Sequence, residues 1–303
     1  MVTIDRTDER YPSCLGELRS PPVPLYLDGN HEALELRAVA IVGSRVPTES
    51  GSETFAYDLA KQLAHRGYAV ASGLARGIDA AAHAGALDAH GPGTTVAVLG
   101  CGIDRAYPRA NHDLFRRILA EGGCIVSEYG PGTEPAPWRF LARNRIVAAL
   151  ADAVVVVDAH ERSGSLVTAD FASELRRPLF VRLGTPGTDD LFARNLAVPL
   201  VSDATLAATT LDDAVAAGFA SWMKFPATRE TALYRPYDRE LVRFHVGDRV
   251  TFDPSSHLRG TVVRVEDFDD ELGTNQLVTV EWLPVASTKE LAQDLHKASE
   301  ENG

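Results

Sequence analysis

The stretch AVAIVGSR, residues 38–45, runs an apolar segment into Gly43, Ser44 and Arg45, and a helical pattern follows soon after. A strand, a glycine turn and a helix start are the parts of an anion site, because such a turn lets backbone N–H groups and a helix N-terminus face a phosphate. The dinucleotide loop GxGxxG is absent, since the next glycine after Gly43 is Gly51. The triphosphate loop GxxxxGK[ST] is absent too, so ATP hydrolysis is not expected. Arg45 must therefore carry part of the recognition.

The elements that hold such a turn can be read from the apolar runs at 38–43, 68–72, 95–100, 124–128, 153–159 and 179–183. Between 53 and 67, Phe55, Leu59 and Leu63 stand four apart beside Ala56, Ala60 and Ala64, the stripe of a helix packed on a sheet. Strands apolar on both faces with crossover helices predict a doubly wound parallel α/β sheet. Ligands of such sheets sit at the strand C-terminal ends. There Gly43-Ser44-Arg45, Ser72-Gly73, Gly100-Cys101-Gly102, Ser127-Glu128 and His160 to Ser165 would converge on one crevice.

With 303 residues the chain has room for a large α/β domain and a smaller companion. The formal net charge of −12 argues against a protein that coats a polyanion with its whole surface, so any polyanion must meet a local pocket. The three cysteines, Cys14, Cys101 and Cys124, show no CxxC spacing, which suggests neither a disulfide framework nor a zinc site. No apolar run approaches a membrane span of roughly 18 residues, and a reducing cytoplasm without membrane attachment is expected. No cofactor or metal is expected. Towards the C-terminus, FHVGDRVTF, RGTVVRV and LVTVEWL alternate apolar and polar residues as short antiparallel strands do, and a small β-barrel is expected at 241–285.

Seven segments in one order resemble the DNA-processing protein A (DprA, or Smf) family, whose core is an extended Rossmann-like fold. They are YPSCLGELRSPPVPLYLDGN, AIVGSRVPTESG, VASGLARGIDAAAH, TVAVLGCGIDRAYPRANHDLF, IVSEYGPG, FLARNRIVAALADAVVVVDA and SGSLVTADFA, spanning about 11–184. The implied organisation is a helical N-terminal extension at 1–36, a Rossmann-like domain at 37–220, a linker at 221–240, the barrel at 241–285 and a tail at 286–303. The barrel is similar to KOW or Tudor modules, although its acidic DFDDELG turn would repel phosphate, so a protein partner or packing suits it better. It stands where the family often carries a winged helix. The segment after residue 184 also lacks the family's glycine-rich ending.

The resemblance implies binding of single-stranded DNA, transfer to a RecA-type recombinase during transformation or recombination, and a homodimer. Carried onto this chain, Ser44 and Arg45 would hold a backbone phosphate, helped by the turn N–H groups after Gly43. Gly73, Arg76 and Gly77 would form a second donor edge. Phe140 is placed either to contact a base or to fill core, and Arg143, Asn144 and Arg145 would line the groove or brace its floor. Because Arg143 and Arg145 lie two apart on a helix, one is expected to face ligand and the other to form an internal ion pair. Arg162, Ser163, Gly164, Ser165 and Thr168 would close the ring. Asp79 reads as a helix-start or loop-bracing carboxylate, His83 as packed, and Asn111 as a helix cap.

Two other classes remain open. Lonely-guy-type nucleotide hydrolases share this fold and an arginine matched by Arg145. Their glutamate beyond the glycine-threonine loop has only Asp170 and Glu174 as imperfect counterparts here. The remaining class is a sensor of small nucleotides that reaches a partner through the barrel.

Overall fold

All five residues of Ala38–Val42 are buried, and that two-sided burial sets the layers. Val39 and Ile41 face one apolar core, while Ala38, Ala40 and Val42 face another, as the period of two in a strand requires. The computed structural model describes residues 1–217 and, by backbone, 249–251, 260–270, 273–282, 286–291 and 296–297. Two compact units divide the chain, Met1–Pro226 and Ala227–Gly303.

In the first unit a nine-stranded sheet has the order β1-β2-β6-β5-β4-β3-β7-β8-β9. The six apolar runs read from the sequence are β3 (Ala38–Val42), β4 (Ala69–Ser72), β5 (Thr94–Leu99), β6 (Cys124–Ser127), β7 (Ala153–Val156) and β8 (Leu179–Val181). These six are parallel to one another, and β9 (Val198–Pro199) continues the parallel run. The order reverses between β4 and β7 on either side of β3, so a crevice opens beyond the C-terminal end of β3.

One face is covered by α1 (Ser52–His65), α2 (Ile78–Leu87) and α7 (Ala204–Ala217). The other is covered by α4 (Pro137–Leu150) and α5 (Gly164–Glu174). Between them in sequence lie α3 (His112–Ala120), packed with β5 and β6, and α6 (Pro186–Ala193). The stripe of Phe55, Leu59 and Leu63 with Ala56, Ala60 and Ala64 is buried as its spacing predicts. The start of α4 is set by Pro137 in its first turn, after Ala136 in an extended conformation. Proline suits that position because its missing N–H would have no helical partner.

The N-terminal segment differs from the helical extension expected for 1–36. It contains β1 (Val2–Ile4) and β2 (Leu25–Gly29), which pair antiparallel, and β2 pairs antiparallel with β6, so the segment extends the sheet. Its helical content is two short 3-10 turns at Ser13–Glu17 and His31–Leu34. The physical reason is edge completion: Leu25 and Leu27 reach the main core from this added strand and are fully buried.

In the second unit five strands form an antiparallel sheet of order β13-β12-β11-β10-β14. They are β10 (Arg249–Thr251), β11 (Gly260–Asp270), β12 (Gly273–Trp282), β13 (Ala286–Leu291) and β14 (His296–Lys297). The last two fall where a tail was expected, drawn in by ladder pairing with β12 and β10. The linker at 221–240 lies outside the described residues.

Helices α1 and α2 approach closely at Gly85, where a Cβ would collide with the Tyr57 backbone carbonyl. Backbone cannot move aside as a flexible side chain can, and overpacking typically costs about 1–3 kcal/mol. Gly85→Ala is therefore expected to lower the free energy of unfolding by an amount in that range, seen as a lower denaturant midpoint. An unchanged midpoint would show that the two helices can separate freely.

Candidate nucleic-acid interface

Arg45, at the end of β3, extends over the ring of Phe140, with its guanidinium carbon 5.4 Å from the ring centre. Tyr107 stacks on the same ring at 5.2 Å between centres and 20° between planes. These three side chains border a cleft of about 270 Å³ that is also lined by Gly73, Ala75, Arg76, Pro108, Ala110 and Arg143. The cleft opens where the sheet's crevice was predicted, and it joins cations to aromatic rings.

Its floor is Arg143, only 3% exposed. The Nη1 group donates to the Gly73 carbonyl at 2.6 Å and to the Val98 carbonyl, and Nε donates to Asn144 Oδ1 at 3.2 Å. Burial lowers its pKa to about 10, with Asp79 pulling the other way, so it remains a cation at neutral pH. A Cβ at position 73 would overlap this guanidinium, so glycine there is a steric requirement of the arginine. Arg143 thus braces the floor. Its neighbour Arg145 is the one in an ion pair: it donates to both Glu128 oxygens, at 2.8 and 2.7 Å, and to the Ser20 carbonyl. It does not line the cleft.

The loop after β4 is tied down at almost every backbone group. Asp79 Oδ2 accepts from Gly73 N–H at 3.1 Å and from Ala75 N–H at 3.4 Å. His83 Nε2 accepts from Leu74 N–H at 3.2 Å. Asn111 Nδ2 donates to the carbonyls of Leu74 and Ala75. Asp79 therefore braces the loop, and burial raises its pKa. Asn111 precedes α3 but makes no side-chain cap, because its amide is spent on the loop.

The loop after β3 is equally committed. Ser44 N–H donates to the Asp158 carbonyl at 2.8 Å, and Ser44 Oγ is bonded within its own turn to Val46. Asp158, fully buried just beyond β7, accepts from Thr48 N–H, Glu49 N–H and Ser52 Oγ through one oxygen. Gly43 packs against Ile78, and Gly77 lies against the Ser44 carbonyl with φ of +71°. The Ser44 and Gly73 N–H groups are thus used internally, and the exposed cations of the cleft are the side chains of Arg45 and Arg76.

The remaining expected residues stand outside the cleft lining. Ser163 caps α5 by accepting from Ser165 N–H, and the two hydroxyls are 2.7 Å apart. Asn144 Nδ2 donates to the Gly164 carbonyl at 2.9 Å, which fastens this turn to α4. Thr168 is buried, and Arg162 is exposed but does not border the cleft. Conversely, Tyr107 and Pro108 line it, and neither was among the residues expected there. The usable signal was a tyrosine beside proline in the segment after an apolar run, a place where an aromatic ring can reach the surface.

A Rossmann-like sheet with a cationic and aromatic cleft at its switch point defines the class. The family model of DNA recombination-mediator protein A matches residues 2–213, and the chain belongs to that family. Protein Smf of Synechocystis is 42% identical over 187 residues, covering 60% of this chain and 46% of that protein. DNA processing protein DprA of Streptococcus pneumoniae is 40% identical over 178 residues, covering 59% and 61%. The chain therefore spans roughly half to three fifths of the length of these relatives. Among solved structures, DNA processing protein A from Helicobacter pylori, described in its single-stranded DNA binding mode, superposes with a TM-score of 0.63 at 33% identity. That match covers 70% of this chain and 95% of the other. The Streptococcus pneumoniae structure gives 0.62 at 36% identity, covering 69% and 73%. No helix among the described residues is long and apolar enough to cross a membrane.

The loop bracing generates a pH prediction. His83 is fully buried and its pKa falls from 6.5 to about 3, first through desolvation and then through the Arg143 charge. Accepting from Leu74 N–H through Nε2 requires the neutral ring, with Nδ1 donating to Thr95 Oγ1 at 2.6 Å. Above pH 6.5 the ring is neutral in folded and unfolded chains alike. Below it the unfolded chain takes up a proton that the buried ring refuses until about pH 3, so stability falls with pH across that window. Asp79, shifted upward, opposes this loss at the acid end. Urea unfolding at pH 7 and pH 5 is expected to show His83 contributing a loss of about 2 kcal/mol, which His83→Gln removes. An identical pH slope in the variant would show that the ring titrates freely.

Proposed function

We propose that this protein binds single-stranded DNA without strong sequence preference and delivers it to a RecA-type recombinase as a recombination mediator. The observation that carries the reading is the stack of Arg45, Phe140 and Tyr107 over a cleft floored by the Arg143 cation. A base can rest on an aromatic ring whatever its identity, and flexible guanidinium groups meet phosphate. Phe140 is the base platform in this reading, and Arg45 and Arg76 are the phosphate contacts. Kinship with the Helicobacter pylori protein, whose structure is described by its single-stranded DNA binding, supports it. A homodimer acting in the cytoplasm completes the proposal.

Binding fits the site better than catalysis does. The carboxylate beneath the cleft, Asp79, is occupied by two backbone N–H groups. Arg145, the arginine a nucleotide hydrolase would need, is held by Glu128.

Fluorescence anisotropy with labelled oligothymidylate over a salt series tests the reading. Arg45→Ala is expected to weaken binding and to reduce the magnitude of the slope of log affinity against log salt by about 0.7 to 1, the signature of one lost phosphate contact. Phe140→Ala should cost about 1–3 kcal/mol. Tight binding of a mononucleotide with no binding of oligothymidylate at low salt would instead mark a small-nucleotide site.

A further inference from the structure

Two residues before Phe140, Trp138 leaves the first turn of α4 with 59% of its surface exposed. Isolated exposed apolar residues are ordinary on protein surfaces, but this one is held in place. The Arg139 guanidinium lies 4.9 Å from the centre of the Trp138 ring and 5.1 Å from that of Tyr129. Tyr129 meets the indole edge-on at 87°, with centres 6.3 Å apart. Arg139 is itself anchored through Nη1 to the Glu134 carbonyl. A cation and a phenol ring thus pack against the indole, which keeps 59% of its surface open. An oriented aromatic face backed by arginine is what a stacked base requires.

We infer that Trp138 is a second base-stacking station, taking a nucleotide of the same single strand whose other base rests on Phe140. The inference rests on the single-stranded DNA reading above. Residues two apart on a helix point about 200° away from each other, across a body about 10–12 Å wide. Side chains in a first turn also lean towards the helix N-terminus. The strand therefore crosses over the beginning of α4, from the cleft on the Phe140 side to the indole on the other. That separation exceeds the spacing of adjacent bases in a stack, about 3.4 Å per nucleotide. At least one nucleotide bridges the two rings. Arg139, next to the indole, supplies a cation beside the crossing.

Anisotropy with labelled oligothymidylates of two lengths, using the full chain, tests this. With a dodecamer, Trp138→Ala is expected to weaken binding about tenfold, and Trp138→Phe to restore most of the loss. With a dinucleotide, which reaches only one ring, Trp138→Ala should stay within about twofold of the parent while Phe140→Ala weakens binding. Thermal melting of both Trp138 variants should match the parent, since the indole is not in the core. The inference is overturned if Trp138→Ala leaves dodecamer affinity unchanged while Phe140→Ala reduces it, an outcome that keeps the single-stranded DNA reading intact. Equal weakening at both lengths overturns it too, because the indole would then belong to the Phe140 pocket. If the parent protein binds neither oligonucleotide, the underlying reading fails first and this one with it.

Discussion

A guanidinium buried as deeply as Arg143 must find carbonyl oxygens or forfeit its hydration uncompensated, and here they come from Gly73 and Val98, at the C-terminal ends of two neighbouring strands. This one side chain fastens α4 to β4 and β5 from beneath. Phe140 lies three residues earlier on the same helix, so the fastening also fixes where that ring stands over the cleft. The arrangement has a steric condition in Gly73, which has no Cβ to obstruct the guanidinium. It has an electrostatic one in Asp79, which accepts the Gly73 N–H while Arg143 takes the carbonyl of the same residue. Gly73, Asp79 and Arg143 therefore form one device, spread over 70 positions of sequence.

Loop rigidity and ligand recognition divide the polar groups between them. Asp158, Asp79, His83 and Asn111 consume the backbone donors and acceptors of the two loops. What reaches solvent is mostly side chain: two arginines and two rings. Backbone amides would have formed a fixed nest suited to one compact phosphate. Arginine stems instead reach phosphates at varied positions, as a polymer sliding through many registers presents them. The strictness of the scaffold thus permits tolerance at the surface. A chain of net charge −12 nonetheless brings two exposed arginines, Arg45 and Arg76, together over one cleft.

The sequence revealed the central strands plainly, because a parallel sheet covered on both faces demands unbroken apolar runs and α/β connections. It did not reveal β1, β2 or β9. Short strands of two to five residues at the two ends of the sheet leave no such run, and their pairing is decided by the sheet they join. At the site, Arg45, Gly73, Arg76, Phe140 and Arg143 were legible as a set and do border one cleft. What could not be read was which groups were already spoken for. Ser163 looks like a ligand donor and works as a cap, and Asn111 looks like a cap and works as a loop clamp. Both outcomes depend on neighbours far away in sequence, and short polar side chains accept either task.

The same limit explains why the two arginines of FLARNRI separate as they do. Helical spacing requires that they diverge, and it does not say which one the sheet will swallow. The deciding fact is which acceptors lie beside each. Beneath Arg143 the Gly73 and Val98 carbonyls accept its guanidinium, whereas Arg145 emerges beside Glu128 and finds a carboxylate. A buried cation held by carbonyls keeps its positive field directed up into the cleft, while an arginine matched to a carboxylate is neutralised where it stands. Arg143, buried against carbonyls, is thus the cation of the cleft floor, while the part-buried Arg145 is paired with Glu128 away from it.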